Sequence, residues 1–134
     1  MLTVVAPLYV DIPRKKGKAK RIYANLNVYR NLHHTLNNDA KHLYKELIWR
    51  QLEALHPLEP LVAPIRVTVT LFAPDKRDRD LGNFCSVAQK YIDDAIVEYG
   101  ILVDDSVKYV KECNYRWGGV DTNHPRFEIE YGSI

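Results

Sequence analysis

The feature that most constrains this chain is a strand followed closely by a helix. From Ile65 to Phe72 the residues Val67, Val69 and Leu71 alternate with Arg66, Thr68 and Thr70, the pattern of a half-buried strand that Pro74 closes. From about Asn83 to Tyr99 the residues Phe84, Val87, Ala88, Tyr91, Ile92, Ala95, Ile96 and Tyr99 form one helical stripe, and Gly100 is the expected stop. Each element has one apolar face and must bury it against another, so a sheet covered by helices follows.

The rest of the chain adds to that pair. Leu2 to Ile12 reads as a strand closed by Pro13, and Arg21 to Leu26 as its short returning partner. Asn27 is a plausible N-cap for a long helix whose apolar residues run from Tyr29 to Leu55, with Pro57 as the outer limit. Asn37-Asn38-Asp39 is poor helix material and a place for a break. Val107 to Trp117 and Phe127 to Tyr131 read as the last strands, with Gly118-Gly119 as the turn between them. The expected fold is α+β (mixed α/β): a small single domain over residues 1–134, with a mixed β-sheet packed by two helices.

Composition narrows the class. Apolar residues make up 46% and charged residues 27%, a globular mix, and no stretch approaches the roughly 18 apolar residues of a membrane span. Met1 to Val10 is short, lacks a basic flank and is interrupted by Pro7, so it does not read as a signal peptide, and a cytoplasmic location is expected. Cys85 and Cys113 show no Cys-x-x-Cys spacing and His33-His34 no ligand spacing, so neither zinc nor an organic cofactor is implied. The net charge is only +2, but Arg14, Lys15, Lys16, Lys18, Lys20 and Arg21 crowd into one segment around Gly17. Such a run is either a contact for the phosphate backbone of nucleic acid or a solvated hairpin tip.

The chemistry gathers between Pro74 and Asp105. Asp75-Lys76-Arg77-Asp78-Arg79-Asp80 precedes the second helix, and Asp104-Asp105 follows it. Carboxylates in turns are hard oxygen ligands that suit Mg2+, which binds through one or two carboxylates plus substrate phosphate. Arg77 and Arg79 either bind DNA phosphates or offset Asp78 and Asp80. Geometry raises a conflict. A helix of about 16 residues is roughly 24 Å long, and the about five residues after Gly100 reach back at most ~17 Å. Asp80 and Asp105 meet only if Gly82 to Ser86 is not helical, or if a partner subunit supplies one of them.

The run Arg79-Asp80-Leu81-Gly82-Asn83, then Lys90 preceding Asp94-Ala95-Ile96 by four residues, then Asp104-Asp105, resembles the signature region of RusA-type Holliday junction resolvases, mostly their phage-borne members. The resemblance implies that Asp80 and Asp105 are essential metal-binding carboxylates and that Lys90 stabilises phosphate or the transition state. It implies a Mg2+ cofactor, with Mn2+ as a substitute. It also implies a homodimer with two equal sites for paired, symmetric nicks in a four-way junction during DNA recombination or repair. Two departures stand out. The family's second carboxylate falls on Gly82, and extra residues separate Asn83 from Lys90. Asp78 and Asp104 are the candidates to replace the missing ligand, with Asp104 favoured because it shares a turn with Asp105. Asp94 also has a purely structural role open to it, pairing with Lys90 one helical turn away. The rival expectation is a branched-DNA-binding protein with a degenerate site that no longer cuts. A third is a structural protein whose acidic turn binds a partner.

Overall fold

A computed structural model describes all residues, 1–134. The chain runs β1 (Leu2–Ala6), β2 (Tyr9–Ile12), β3 (Lys20–Tyr23), α1 (Leu26–Asn31), α2 (His34–Ala54), β4 (Ile65–Ala73), α3 (Leu81–Tyr99), β5 (Val110–Val120) and β6 (Arg126–Ser133). The main sheet has the order β1-β6-β4-β5. Strands β4 and β5 are parallel and joined through α3, while β6 is antiparallel to both β1 and β4. Strands β2 and β3 form a separate antiparallel hairpin. The α+β expectation holds, with three helices and six strands in place of two and about five.

Helices α2 and α3 pack on each other and on the sheet. Trp49 Nε1 of α2 donates to the Ala95 carbonyl of α3 at 2.9 Å, and the Tyr44 and Tyr91 rings stack with centroids 5.1 Å apart. Beneath them Val4, Val67, Val69, Leu71, Phe127, Ile129 and Tyr131 are fully buried. This is the alternation seen in β4, whose outward residues include Arg66 and Thr70.

Several boundaries differ from expectation, each for a visible reason. The first predicted strand is two, because the chain leaves the main sheet at Pro7, whose carbonyl accepts from the Tyr44 hydroxyl at 3.0 Å. The N-cap of the first helix is Asn25, not Asn27: its side chain accepts from the Asn27 and Val28 amides. The long helix breaks at Leu32-His33, where the His33 ring accepts from the Thr35 amide and caps α2. Asn37-Asn38-Asp39 stays helical, and Asn37 accepts a 2.6 Å bond from Tyr91 of α3. Gly118-Gly119 does not turn the chain; β5 runs through it with an irregularity in its pairing, and the turn lies after Val120. At Gly118 an added Cβ would lie 2.7 Å from the Phe72 ring, so the strand passes here only because the side chain is absent.

Candidate nucleic-acid and metal site

Strand β4 ends at Ala73, and a short charged loop carries the chain into α3. Asp75 organises that loop. It accepts from the Arg77 amide and from the guanidinium groups of Arg77 and Arg79, and these bonds hold its carboxyl down at about 2. Arg79 also donates to the carbonyls of Asp75 and Arg77, and its side chain is only 12% exposed. Arg79 therefore holds the loop together. Arg77, at 83% exposure, keeps one side of its guanidinium open to a ligand.

Asp80 is the N-cap of α3 and accepts from the Gly82 amide at 2.9 Å. This is the ordinary use of an aspartate at a helix start, and it leaves the residue exposed at the surface. The helix begins at Leu81, so the expected non-helical stretch from Gly82 to Ser86 does not occur. A Cβ at Gly82 would sit 3.3 Å from the Asp80 carboxylate, so glycine gives that carboxylate its room.

With α3 helical over 19 residues, about 28 Å long, the roughly five residues after Gly100, reaching at most ~17 Å, cannot carry Asp105 back to the Asp80 cap. Asp104 and Asp105 are exposed in that turn. The charge of Asp105 acts on Asp93 and Tyr131, and Asp93 lies about 20 Å along the helix from the Asp80 cap. No three His, Cys, Asp or Glu side chains gather closely enough to hold a metal ion. The chain therefore keeps Asp78 and Asp80, at the start of α3, apart from Asp104 and Asp105, which follow its end. Lys90 is exposed on α3 and makes no ion pair. Asp94, expected to pair with Lys90, pairs instead with Lys41 at 3.6 Å.

The basic residues sit toward the tip of the β2–β3 hairpin, whose strands pair from Tyr9–Tyr23 at the base to Ile12–Lys20. Arg14, Lys15, Lys16, Lys18 and Lys20 are all exposed, and Gly17 takes a φ of +82° at the tip. Arg21 is already engaged: it pairs with Asp11 at 3.0 Å and lies over the Tyr9 ring. The base of the hairpin and the acidic loop face each other across a cavity of about 380 Å³. Leu8, Tyr23, Asn25 and Val28 line one wall, and Pro74, Arg77, Asp78, Arg79 and Phe84 the other. The structure thus turns Asp78 toward this cavity.

Two arrangements were not anticipated from the residues. Asp93 is 3% exposed and accepts from Tyr131 at 2.6 Å and Gln89 at 3.1 Å. Burial pushes its carboxyl up to about 6, against the pull of those two bonds, and the charges of Asp105 and Asp94 add to the rise. Its place between Ile92 and Ile96, with a polar Gln89 one turn earlier, is the signal that could have found it. The other is the cavity itself, whose walls come from separate segments of sequence. No family model matches this chain, and no curated protein matches it. No helix is long and apolar enough to cross a membrane.

Proposed function

We propose that this protein is a Mg2+-dependent endodeoxyribonuclease that resolves four-way DNA junctions by paired nicks, acting in the cytoplasm as a C2 homodimer of the RusA type. The observation that carries the reading is the cavity in which Tyr23, at the base of the hairpin that bears the basic run, faces Arg77, Asp78 and Arg79 of the loop leading to the Asp80 cap. The hairpin that carries the phosphate-suited run and the loop that carries the carboxylates, far apart in sequence, thus share one cavity at the hairpin base.

The donor set fits the ion. Asp80 has one carboxylate oxygen outside its cap bond, and Mg2+ needs only one or two carboxylates when waters and phosphate complete its shell. Asp80 alone is thin, and Asp105 of the same chain acts on Asp93, about 20 Å along α3 from the Asp80 cap. In a two-fold dimer the same surfaces meet reciprocally. Asp80 of one protomer is then joined by Asp104 and Asp105 of the partner subunit, with Lys90 of the partner subunit on the scissile phosphate. A bound Mg2+ would orient the attacking water and neutralise phosphate charge. The exposed lysines of the hairpin tip and Arg77 position the DNA arms through their phosphates.

Cleavage of a synthetic four-way junction, with and without Mg2+, tests this reading. Asp80→Asn is the informative variant, because asparagine is an equally good N-cap and preserves α3 while removing the charge. Wild type is expected to nick only with the metal, and the variant to bind without nicking. A wild-type protein that binds junctions and never cuts them gives the alternative, a branched-DNA-binding protein in which Gly82 marks a lost ligand.

A further inference from the structure

We infer that the cavity between the hairpin and the α3 loop is a pocket for one unstacked nucleobase, selective for bases that carry an exocyclic amino group. The inference rests on DNA being the substrate, as proposed above, but not on the protein being a nuclease. The cavity, at about 380 Å³, falls within the roughly 300–1,000 Å³ of small-ligand sites. Two aromatic rings line it from different elements, Tyr23 from the end of β3 and Phe84 from the first turn of α3, with Pro74 beside them. Tyr23 is 45% exposed although its ring also packs on Tyr9, so it keeps open surface for stacking. A base has a π-face whatever its identity, and stacking on such a ring contributes roughly 1–3 kcal/mol.

The polar lining supplies the edge contacts. Asn25 spends its side-chain oxygen on the α1 cap, and its Nδ2 donates to nothing within the chain. Asp78 is in the wall and forms no ion pair, because Arg77 and Arg79 are both committed to Asp75. A carboxylate accepts from the amino group of cytosine, adenine or guanine, whereas thymine offers its carbonyl oxygens to the same place. Arg77, also in the lining, is exposed enough to meet the flanking phosphate. Lys18 and Lys20, exposed on the same hairpin as Tyr23, add positive charge to that hairpin.

Fluorescence anisotropy with labelled deoxyribo-oligonucleotides in EDTA, where no metal-dependent cutting interferes, tests the pocket directly. Oligo-dC and oligo-dT differ least in stacking and most in the group offered to Asp78, and wild type is expected to bind oligo-dC more tightly. Tyr23→Ala should weaken oligo-dC binding by about 5- to 150-fold, Tyr23→Phe should restore it, and Asp78→Asn should remove the preference over oligo-dT. Lys16→Ala should lower both affinities equally. Equal binding of the two oligomers by wild type, or a Tyr23→Ala protein that binds as wild type does, overturns the pocket. Cleavage of the junction with no base preference sinks the pocket alone. A base preference without any cleavage leaves the pocket standing and sinks the nuclease reading.

Discussion

Replacing Asp93 with asparagine should change the pH dependence of stability in a way that isolates one buried carboxyl. Asp93 is 3% exposed, and its carboxyl sits at about 6 where an open aspartate sits near 3.8. The folded state therefore holds a proton that the unfolded chain has already released between about pH 4 and pH 6. A group whose value is raised on folding contributes its full stability below the unfolded value and loses it as the pH climbs through the folded one. The difference of about two units corresponds to roughly 3 kcal/mol. Asparagine keeps the shape and can still accept from the Tyr131 hydroxyl, but it cannot titrate. Its amide also faces the Gln89 Nε2 donor, an offset that does not vary with pH. Urea unfolding followed by the fluorescence of Trp49 and Trp117 gives both stabilities at each pH. Wild-type stability minus that of Asp93→Asn should fall by about 2.5 kcal/mol from pH 4 to pH 7. A difference constant to within about 0.5 kcal/mol over that range would refute the buried-carboxyl reasoning.

Other consequences are sharper in direction than in size. Gly118→Ala places a Cβ 2.7 Å from the Phe72 ring, which the Arg126 guanidinium covers 4.0 Å from its centroid, so thermal unfolding should show a loss of about 1–3 kcal/mol. Gly82→Asp places a carboxylate beside Asp80 at the cost of a 3.3 Å contact that must relax slightly; on the proposed function the Mg2+ concentration needed for half-maximal junction cleavage should drop. Changing Lys15, Lys16 and Lys18 together to alanine should weaken binding to all junction sequences alike. It should also flatten the plot of log affinity against log salt by about 0.9 for each phosphate contact removed. Arg21→Ala, in contrast, should act mainly on the hairpin, since that side chain is held by Asp11 and Tyr9.

Much of the frame was legible because it depends on local pattern. The alternation of β4 and the stripe of α3 each specify one apolar face, and those two elements appear close to where the residues place them. What escaped depends on tertiary partners. Asn37 looks like a helix breaker until Tyr91 of α3 bonds to it. Gly118-Gly119 looks like a turn until the Phe72 ring is seen to occupy the space beside it. The break at Leu32-His33 falls inside an apolar pattern that continues across it, so nothing local marks it. In the candidate site, counting residues already exposed the conflict between the two ends of α3. The fold sharpens that conflict, because Asp80 caps a helix that starts at once. Asp93 was hidden because a carboxyl within an apolar stripe reads as an exposed neighbour of Asp94, and only Tyr131, from the last strand, explains its burial.

The central claim is a metal-dependent site shared between two copies of this chain. The most direct test mixes two inactive variants. Asp80→Asn and Asp105→Asn proteins, each alone, should bind a four-way junction and fail to nick it in Mg2+. After unfolding and refolding together, half of the dimers carry one copy of each, and one of the two sites in every mixed dimer regains both carboxylates. Nicking should then return at roughly a quarter of the wild-type level. A mixture as inactive as its components, prepared from a wild type that does cut, would contradict the shared site; wild-type protein that never cuts would contradict the nuclease itself.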